Sequence, residues 1–71
     1  MTGNTLMWEK VRRGGFIFVT WKGDHSPRHV HVYRDGRFIL KWDLDHDRLM
    51  KGVPHRRVHD LIAELEADGA L

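Results

Sequence analysis

Hydrophobic residues in the middle of the chain cluster in three short segments, which are rich in the aromatic and β-branched residues that are typical of β-strands. Phe16–Trp21 is rich in aromatic and β-branched residues, and Val30–Tyr33 and Phe38–Trp42 have the same character. The last two segments are separated by Arg34-Asp35-Gly36, a sequence that favours a hairpin. The pattern therefore predicts three antiparallel strands.

The segments around these strands are less regular. Leu6–Arg13 is a weaker candidate for a fourth strand, because Gly14-Gly15 after it provides a turn into the next strand. We expect a loop at Lys22–Arg28 and a charged connection at Leu44–Val53. Met1–Thr5 is small and polar, and we expect it to fray.

Near the C-terminus, apolar residues at helical spacing predict a helix over Pro54–Asp68. Proline suits the first helical position, and Gly69 suits the end. The apolar residues that form a stripe at i, i+3, i+4 and i+7 are Val58, Leu61, Ile62 and Leu65. This stripe should cover the apolar face of the sheet and leave the other face open.

The hairpin has two candidate registers, and each assigns side chains to faces differently. A two-residue Asp35-Gly36 turn would pair Tyr33 with Phe38 and would place histidines among apolar residues. A three-residue loop would pair Tyr33 with Arg37. One face would then carry Val30, Val32, Phe38, Leu40 and Trp42, and the other His29, His31, Tyr33, Arg37, Ile39 and Lys41. The hydrophobic pattern favours the three-residue loop.

These elements predict an α+β protein with a small antiparallel three- or four-stranded sheet and one C-terminal amphipathic helix packed on one face. The 71 residues suit a single domain, 1–71. The chain has no cysteine, so a disulfide cannot add to the stability of its small core. A homodimer or a protein partner would bury additional surface.

Charge is unevenly distributed along the chain, although the formal net charge is only +2. Residues 10–41 carry eight basic and two acidic residues, and residues 42–71 carry four basic and seven acidic residues. Six histidines would raise the formal charge to +8 if all were protonated. The asymmetry indicates either a basic face that contacts phosphate or a mixed solvated surface.

The predicted helix begins with cations, which its dipole disfavours by a few tenths of a kcal/mol each. Backbone N–H groups together with Arg56 and Arg57 could hold a phosphate, or the small cost could simply be tolerated.

Potentially reactive side chains are most concentrated in His25–Val32, which holds three of the six histidines. His29 and His31 are two residues apart, so they lie on one face of the predicted strand. One interpretation is metal-independent RNA cleavage, in which two histidines act as base and acid and His25 supports them. Cations would stabilise charge on the phosphorane. The candidates for contacting substrate are Arg28, Lys41, Arg37, Tyr33, Arg56 and Arg57.

Metal binding is a second interpretation of the histidines. A His-x-His pair on a strand can chelate a divalent ion, so the candidate ligands are His25, His29 and His31. His55 and His59 are spaced i, i+4 on the helix, although half-buried positions beside the apolar stripe are an alternative. No metal or other cofactor is required by the cleavage interpretation.

A third interpretation is binding without chemistry. The basic face would then bind RNA, DNA or an acidic protein. Trp8, Trp21 and Tyr33 could stack on bases, or they could belong to the core, as aromatic residues of small domains often do.

The segment Asp24-His25-Ser26-Pro27-Arg28-His29-Val30-His31-Val32 resembles the hallmark of a short bacterial family, the four-one-six-zero domain-of-unknown-function family. That pattern is roughly Asp/Glu-His-x-Pro-Pro-His-x-His-Val, and the resemblance covers about residues 14–66. Arg28 replaces the usual second proline, and the family's extended C-terminal helix ending in Trp is missing. Family members often sit beside another small gene, which is similar to a toxin–antitoxin arrangement. A weaker architectural similarity is to HicA-type RNA-cleaving toxins.

Two functional hypotheses follow. The first is an RNA-cleaving member of a toxin–antitoxin-like pair, whose partner would be a small acidic protein. The second is a non-catalytic module, from a mobile element, that binds nucleic acid or protein. The longest apolar run is Phe16–Val19, and the first fifteen residues have no apolar signal region, so we expect a cytoplasmic protein without a membrane span.

Overall fold

A computed structural model of the chain describes residues 7–22 and 27–71. Its strands are β1 Met7–Arg13, β2 Phe16–Lys22, β3 His29–Arg34, β4 Arg37–Asp43 and β5 Arg48–Gly52, and its helix is α1 Arg56–Ala67. The five strands form one antiparallel sheet in chain order, and each strand pairs with the next. The α+β prediction, with one C-terminal helix on the sheet, is confirmed, but the sheet has five strands rather than three or four.

The helix α1 packs its apolar stripe against one face of the sheet. Val58, Leu61, Ile62 and Leu65 are all buried there, as the spacing predicted. The strand residues in the same core are Phe16, Phe18, Val30, Val32 and Leu40, with Leu44 from the loop after β4. Within each strand, the residues that alternate with these core positions therefore lie on the opposite face of the sheet.

The strand β5 was predicted as a charged connection. It is an edge strand in which Leu49 alone is partly buried, so it lacks the apolar alternation that marks a half-buried strand. The backbone of β5 approaches that of β4 closely at Gly52, whose φ is 92°. An added Cβ there would lie 2.3 Å from the carbonyl oxygen of Ile39.

The helix begins two residues later than predicted. His55 is the N-cap, and its Nδ1 accepts a hydrogen bond from the backbone N–H of Val58 at 3.3 Å. Pro54 therefore precedes the cap and is not the first helical residue. At the other end, Gly69 has a φ of 77° and donates to the Glu66 carbonyl, while Ala70 donates to Leu65. This is a Schellman ending.

The predicted three-residue hairpin loop is wrong. Asp35 and Gly36 form a two-residue turn with φ values of 52° and 75°, so Tyr33 pairs with Phe38. The register then shifts because Ile39 is an extra residue on β4, and Val32 pairs with Leu40. The bulge restores the apolar alternation that a two-residue turn alone would have disrupted.

Candidate functional site

The face of the sheet opposite α1, which we call the open face, is rich in aromatic rings and cations. Strand register places fourteen residues on it: Trp8, Lys10, Arg12, Ile17, Val19, Trp21, His29, His31, Tyr33, Phe38, Lys41, Asp43, Arg48 and Lys51. Val19 is buried under its neighbours, whereas Trp8 is 54% exposed and Phe38 is 39% exposed. This face presents both ring surfaces and ammonium groups.

His31 lies at the centre of an aromatic cluster on the open face. Its ring centroid is 5.0 Å from that of Trp21, 5.4 Å from that of His29 and 6.2 Å from that of Phe38. Phe38 also contacts Tyr33 at 5.8 Å, edge to face. The two histidines predicted to share one strand face therefore do so, and their rings are in contact.

The ring of His29 is oriented by the backbone. Its Nδ1 lies 3.0 Å from the carbonyl oxygen of Pro27. A carbonyl only accepts hydrogen bonds, so Nδ1 carries the proton and donates. In the neutral ring, Nε2 is then the proton-accepting atom, which is the arrangement that a general base requires.

Cations surround this cluster, and exposed carboxylates face away from it. In the strand register, Lys41 is opposite His31 on β3 and opposite Lys51 on β5. The Nζ atom of Lys10 lies 5.5 Å from the centroid of the Trp8 ring. Within the described ranges 7–22 and 27–71, Asp43 is the only carboxyl group that register places on this face. Its side chain is 1% exposed and is held in the β4–β5 loop. The accessible charge of the open face is therefore positive.

Acidic residues on the helix side are paired with arginines. Arg13 contacts Asp68 at 2.9 Å and Glu64 at 3.6 Å. Arg28 contacts Asp45 at 3.2 Å and also approaches Glu66 on α1. These contacts pair four acidic residues, Asp45, Glu64, Glu66 and Asp68, with arginines.

The structure brings together some of the predicted site residues and separates others. His29, His31, Tyr33 and Lys41 share the open face, as predicted. Arg28 does not join them, because it contacts carboxylates on the loop and on α1. His25 lies outside the described residues.

The structure places three other candidate phosphate contacts on the helix side of the sheet, and only for Arg37, which was predicted on the histidine face, is the predicted placement wrong. Arg37 pairs with Arg34, whose guanidinium lies over the core residue Phe16, so register places Arg37 on the helix side. Arg56 and Arg57 begin α1, which packs on the face opposite the histidines. The sequence showed these cations but not the face on which each would lie.

Ile39 and Phe38 exchange the faces that the predicted register assigned to them. Ile39 packs against the core, and Phe38 contacts His31 and Tyr33. Sequence reasoning therefore missed Phe38, and it did not select Lys10 or Lys51. Strand alternation on β1 would have indicated Lys10, but Lys51 belongs to the strand that was not predicted.

His55 and His59, the two histidines spaced i, i+4 near the start of the helix, both make contacts within the fold. His55 caps α1 and contacts the Phe16 ring at 5.2 Å. His59 contacts the Trp42 ring at 4.9 Å, and its Nε2 lies 3.8 Å from Asp47. Among residues 7–22 and 27–71, no group of three potential ligands is placed to hold a metal ion, and the candidate set with His25 extends beyond those ranges.

The loop after β4 is organised by the buried carboxylate of Asp43. It accepts hydrogen bonds from the backbone N–H groups of Asp45 and His46, and Nδ1 of His46 lies 2.9 Å from it. Burial acts to raise the pKa of Asp43, but these hydrogen bonds outweigh burial and lower the pKa below its ordinary value. The ionised carboxylate therefore fixes the loop that joins β4 to β5.

No family model, curated protein or solved structure matches the chain. In the part of the chain that the structure describes, no helix has the length and apolar character needed to cross a membrane. The resemblance to a short bacterial family stays a prediction from its histidine motif.

Proposed function

We propose that the protein binds nucleic acid on the open face of its sheet. The observation that carries the proposal is the combination of exposed rings and lysines on the face that α1 does not cover. Trp8, Phe38, Lys10, Lys41 and Lys51 provide these groups. On the helix side, acidic residues such as Asp68 and Asp45 are paired with arginines. These ion pairs reduce the repulsion that the carboxylates would exert on a polyanion at the open face.

The two kinds of group would act on different parts of the ligand. Lysine ammonium groups neutralise phosphates and release condensed counterions, which makes affinity fall as salt rises. Aromatic rings stack on bases and contribute about 1–3 kcal/mol per base. A face that carries both can bind a polynucleotide without a deep pocket.

The salt dependence of RNA binding tests this proposal. We expect the affinity for a labelled RNA of about twelve nucleotides to fall steeply between about 50 and 200 mM salt. Lys41→Gln and Lys51→Gln should each reduce the slope of log affinity against log salt by about one. Arg56→Gln removes one charge from the helix side and should leave the slope unchanged.

Two outcomes would reject the open face as the binding surface. One is an affinity that does not change with salt. The other is an equal loss of slope in the Arg56 and Lys41 variants, because bulk charge would then explain binding without a particular face.

RNA cleavage is a second candidate, which the contact between His29 and His31 favours. One histidine would take the 2′-hydroxyl proton as that oxygen attacks phosphorus, and the other would protonate the 5′-oxygen as its bond to phosphorus breaks. The products would be a 2′,3′-cyclic phosphate and a 5′-hydroxyl end. Lys41, opposite His31, would stabilise the charge on the phosphorane.

An RNA-integrity assay at pH 5–8, with and without divalent metal ions, separates binding from cleavage. Cleavage predicts cut RNA with the wild type and loss of cutting with His29→Ala. Intact RNA at every pH, together with measurable binding, would reject cleavage and retain the binding proposal. The same assay would test the RNA-cleaving role in a toxin–antitoxin-like pair.

A further inference from the structure

The two most exposed rings of the open face lie at opposite corners of it. Trp8 is on the edge strand β1 and pairs with Trp21, while Phe38 is on β4 and pairs with Tyr33. Continuing the β2–β3 register places Trp21 level with His29, four residues from Tyr33 along β3. Three strand spacings of about 4.8 Å and four residue rises of about 3.4 Å then give a diagonal of about 20 Å.

Cations lie on both sides of this diagonal. Lys10 lies beside Trp8, and Lys41 lies opposite His31 in the middle of the sheet. Trp21 and Tyr33 contribute half-buried rings between the two corners. This arrangement matches a ligand whose bases are available for stacking and whose phosphates repeat at short intervals.

We infer that the ligand is an unpaired RNA strand that crosses the open face from Trp8 to Phe38. The inference rests on the proposed function and names its substrate class. In a duplex the base faces are stacked on each other, so exposed rings cannot reach them, whereas an unpaired strand offers them. RNA supplies such strands in loops, bulges and ends. A diagonal of about 20 Å spans at most about six nucleotides, because a stacked strand rises about 3.4 Å per nucleotide and an unstacked strand rises more.

Fluorescence anisotropy with labelled oligonucleotides tests the inference. The probes are single-stranded RNAs of about four, eight and twelve nucleotides, a duplex RNA of the longest sequence and the corresponding single-stranded DNA. We expect the single-stranded RNA to bind at least about tenfold tighter than the duplex, and affinity to level off by about eight nucleotides.

Two variants test the corners of the surface. Trp8→Ala and Phe38→Ala should each weaken binding of the eight-nucleotide RNA by about 5- to 150-fold. Val53→Ala removes a side chain that is 63% exposed and follows β5, so it serves as the matched control and should bind normally. Circular dichroism of each variant checks that the sheet is retained.

The failures of the inference and of the proposed function are distinguishable. Equal binding of duplex and single-stranded RNA would overturn the inference, as would normal binding by both aromatic variants while Lys41→Gln still binds weakly. Tighter binding of the DNA strand than of the RNA strand would overturn the assignment to RNA. If the wild type binds none of these probes, both the inference and the proposed function are wrong.

Discussion

Gly52 is the position at which one added methyl group should do the most damage to the sheet. Its φ of 92° is a conformation that costs a residue with a Cβ about 1–3 kcal/mol. The new Cβ of Gly52→Ala would also lie 2.3 Å from the Ile39 oxygen and 2.7 Å from the Leu40 Cα. Both are backbone atoms, so no side-chain rotation relieves the contact.

The end of β5 must therefore separate from β4. Each ladder hydrogen bond lost in this way costs about 1 kcal/mol, so the total destabilisation should be about 3–4 kcal/mol. In a domain of this size, each kcal/mol lowers Tm by about 4–8 °C, which predicts a fall of at least about 12 °C. Separation would also move Lys51 away from Lys41 and should weaken the proposed RNA binding.

Thermal unfolding followed by circular dichroism measures the effect, with Gly36→Ala as the matched control. Gly36 also has a positive φ, 75°, but an added Cβ there meets no atom within 4 Å. The control therefore includes the dihedral cost and lacks the collision. Equal losses of stability in the two variants would refute the argument that the close approach of β4 and β5 matters.

Three further predictions follow from the helix cap, the buried carboxylate and the histidine pair. His55→Ala should lower the free energy of unfolding by about 0.5–2 kcal/mol, while His55→Asp should retain stability; equal losses in chemical denaturation would contradict the capping role. Because the pKa of Asp43 is lowered in the fold, its stabilisation is fully present above about pH 3.9 and is lost as pH falls through the folded-state pKa. Thermal unfolding at about pH 2–6 should show that loss in the wild type and less of it in Asp43→Asn, and identical profiles would refute this. If the protein is a toxin, induced wild type should arrest growth and a folded His29→Ala/His31→Ala double variant should not; arrest by both would exclude the histidine pair as its cause.

The sequence predicts those parts of the fold that depend only on the spacing of apolar residues within one helix or one strand. The stripe of α1 was clear because its four apolar residues repeat at helical spacing and all are buried. The histidine face was clear because His29 and His31 alternate with Val30 and Val32 on one strand. These two patterns are sufficient to predict a helix on one face of the sheet and histidines on the other.

The remaining features depend on partners that are distant in sequence. Both candidate registers of the hairpin assumed an uninterrupted ladder, so neither allowed for the bulge at Ile39 that places Phe38 among the histidines. Arg28 was assigned to phosphate because it lies beside His29 in sequence. Its ion pair with Asp45 and its approach to Glu66 become visible only when the loop and helix are in place.

The bulge on β4 also makes some positions of this strand more tolerant of a deletion than others. Deleting Ile39 would leave Phe38 opposite Tyr33 and Leu40 opposite Val32, so every remaining β3–β4 pair would keep its partner. Deleting Lys41 would instead bring leucine and tryptophan together in sequence and reverse the alternation beyond that point. A chain one residue shorter at position 39 can therefore retain the same open face. Chains shortened elsewhere in this strand would expose core residues on it.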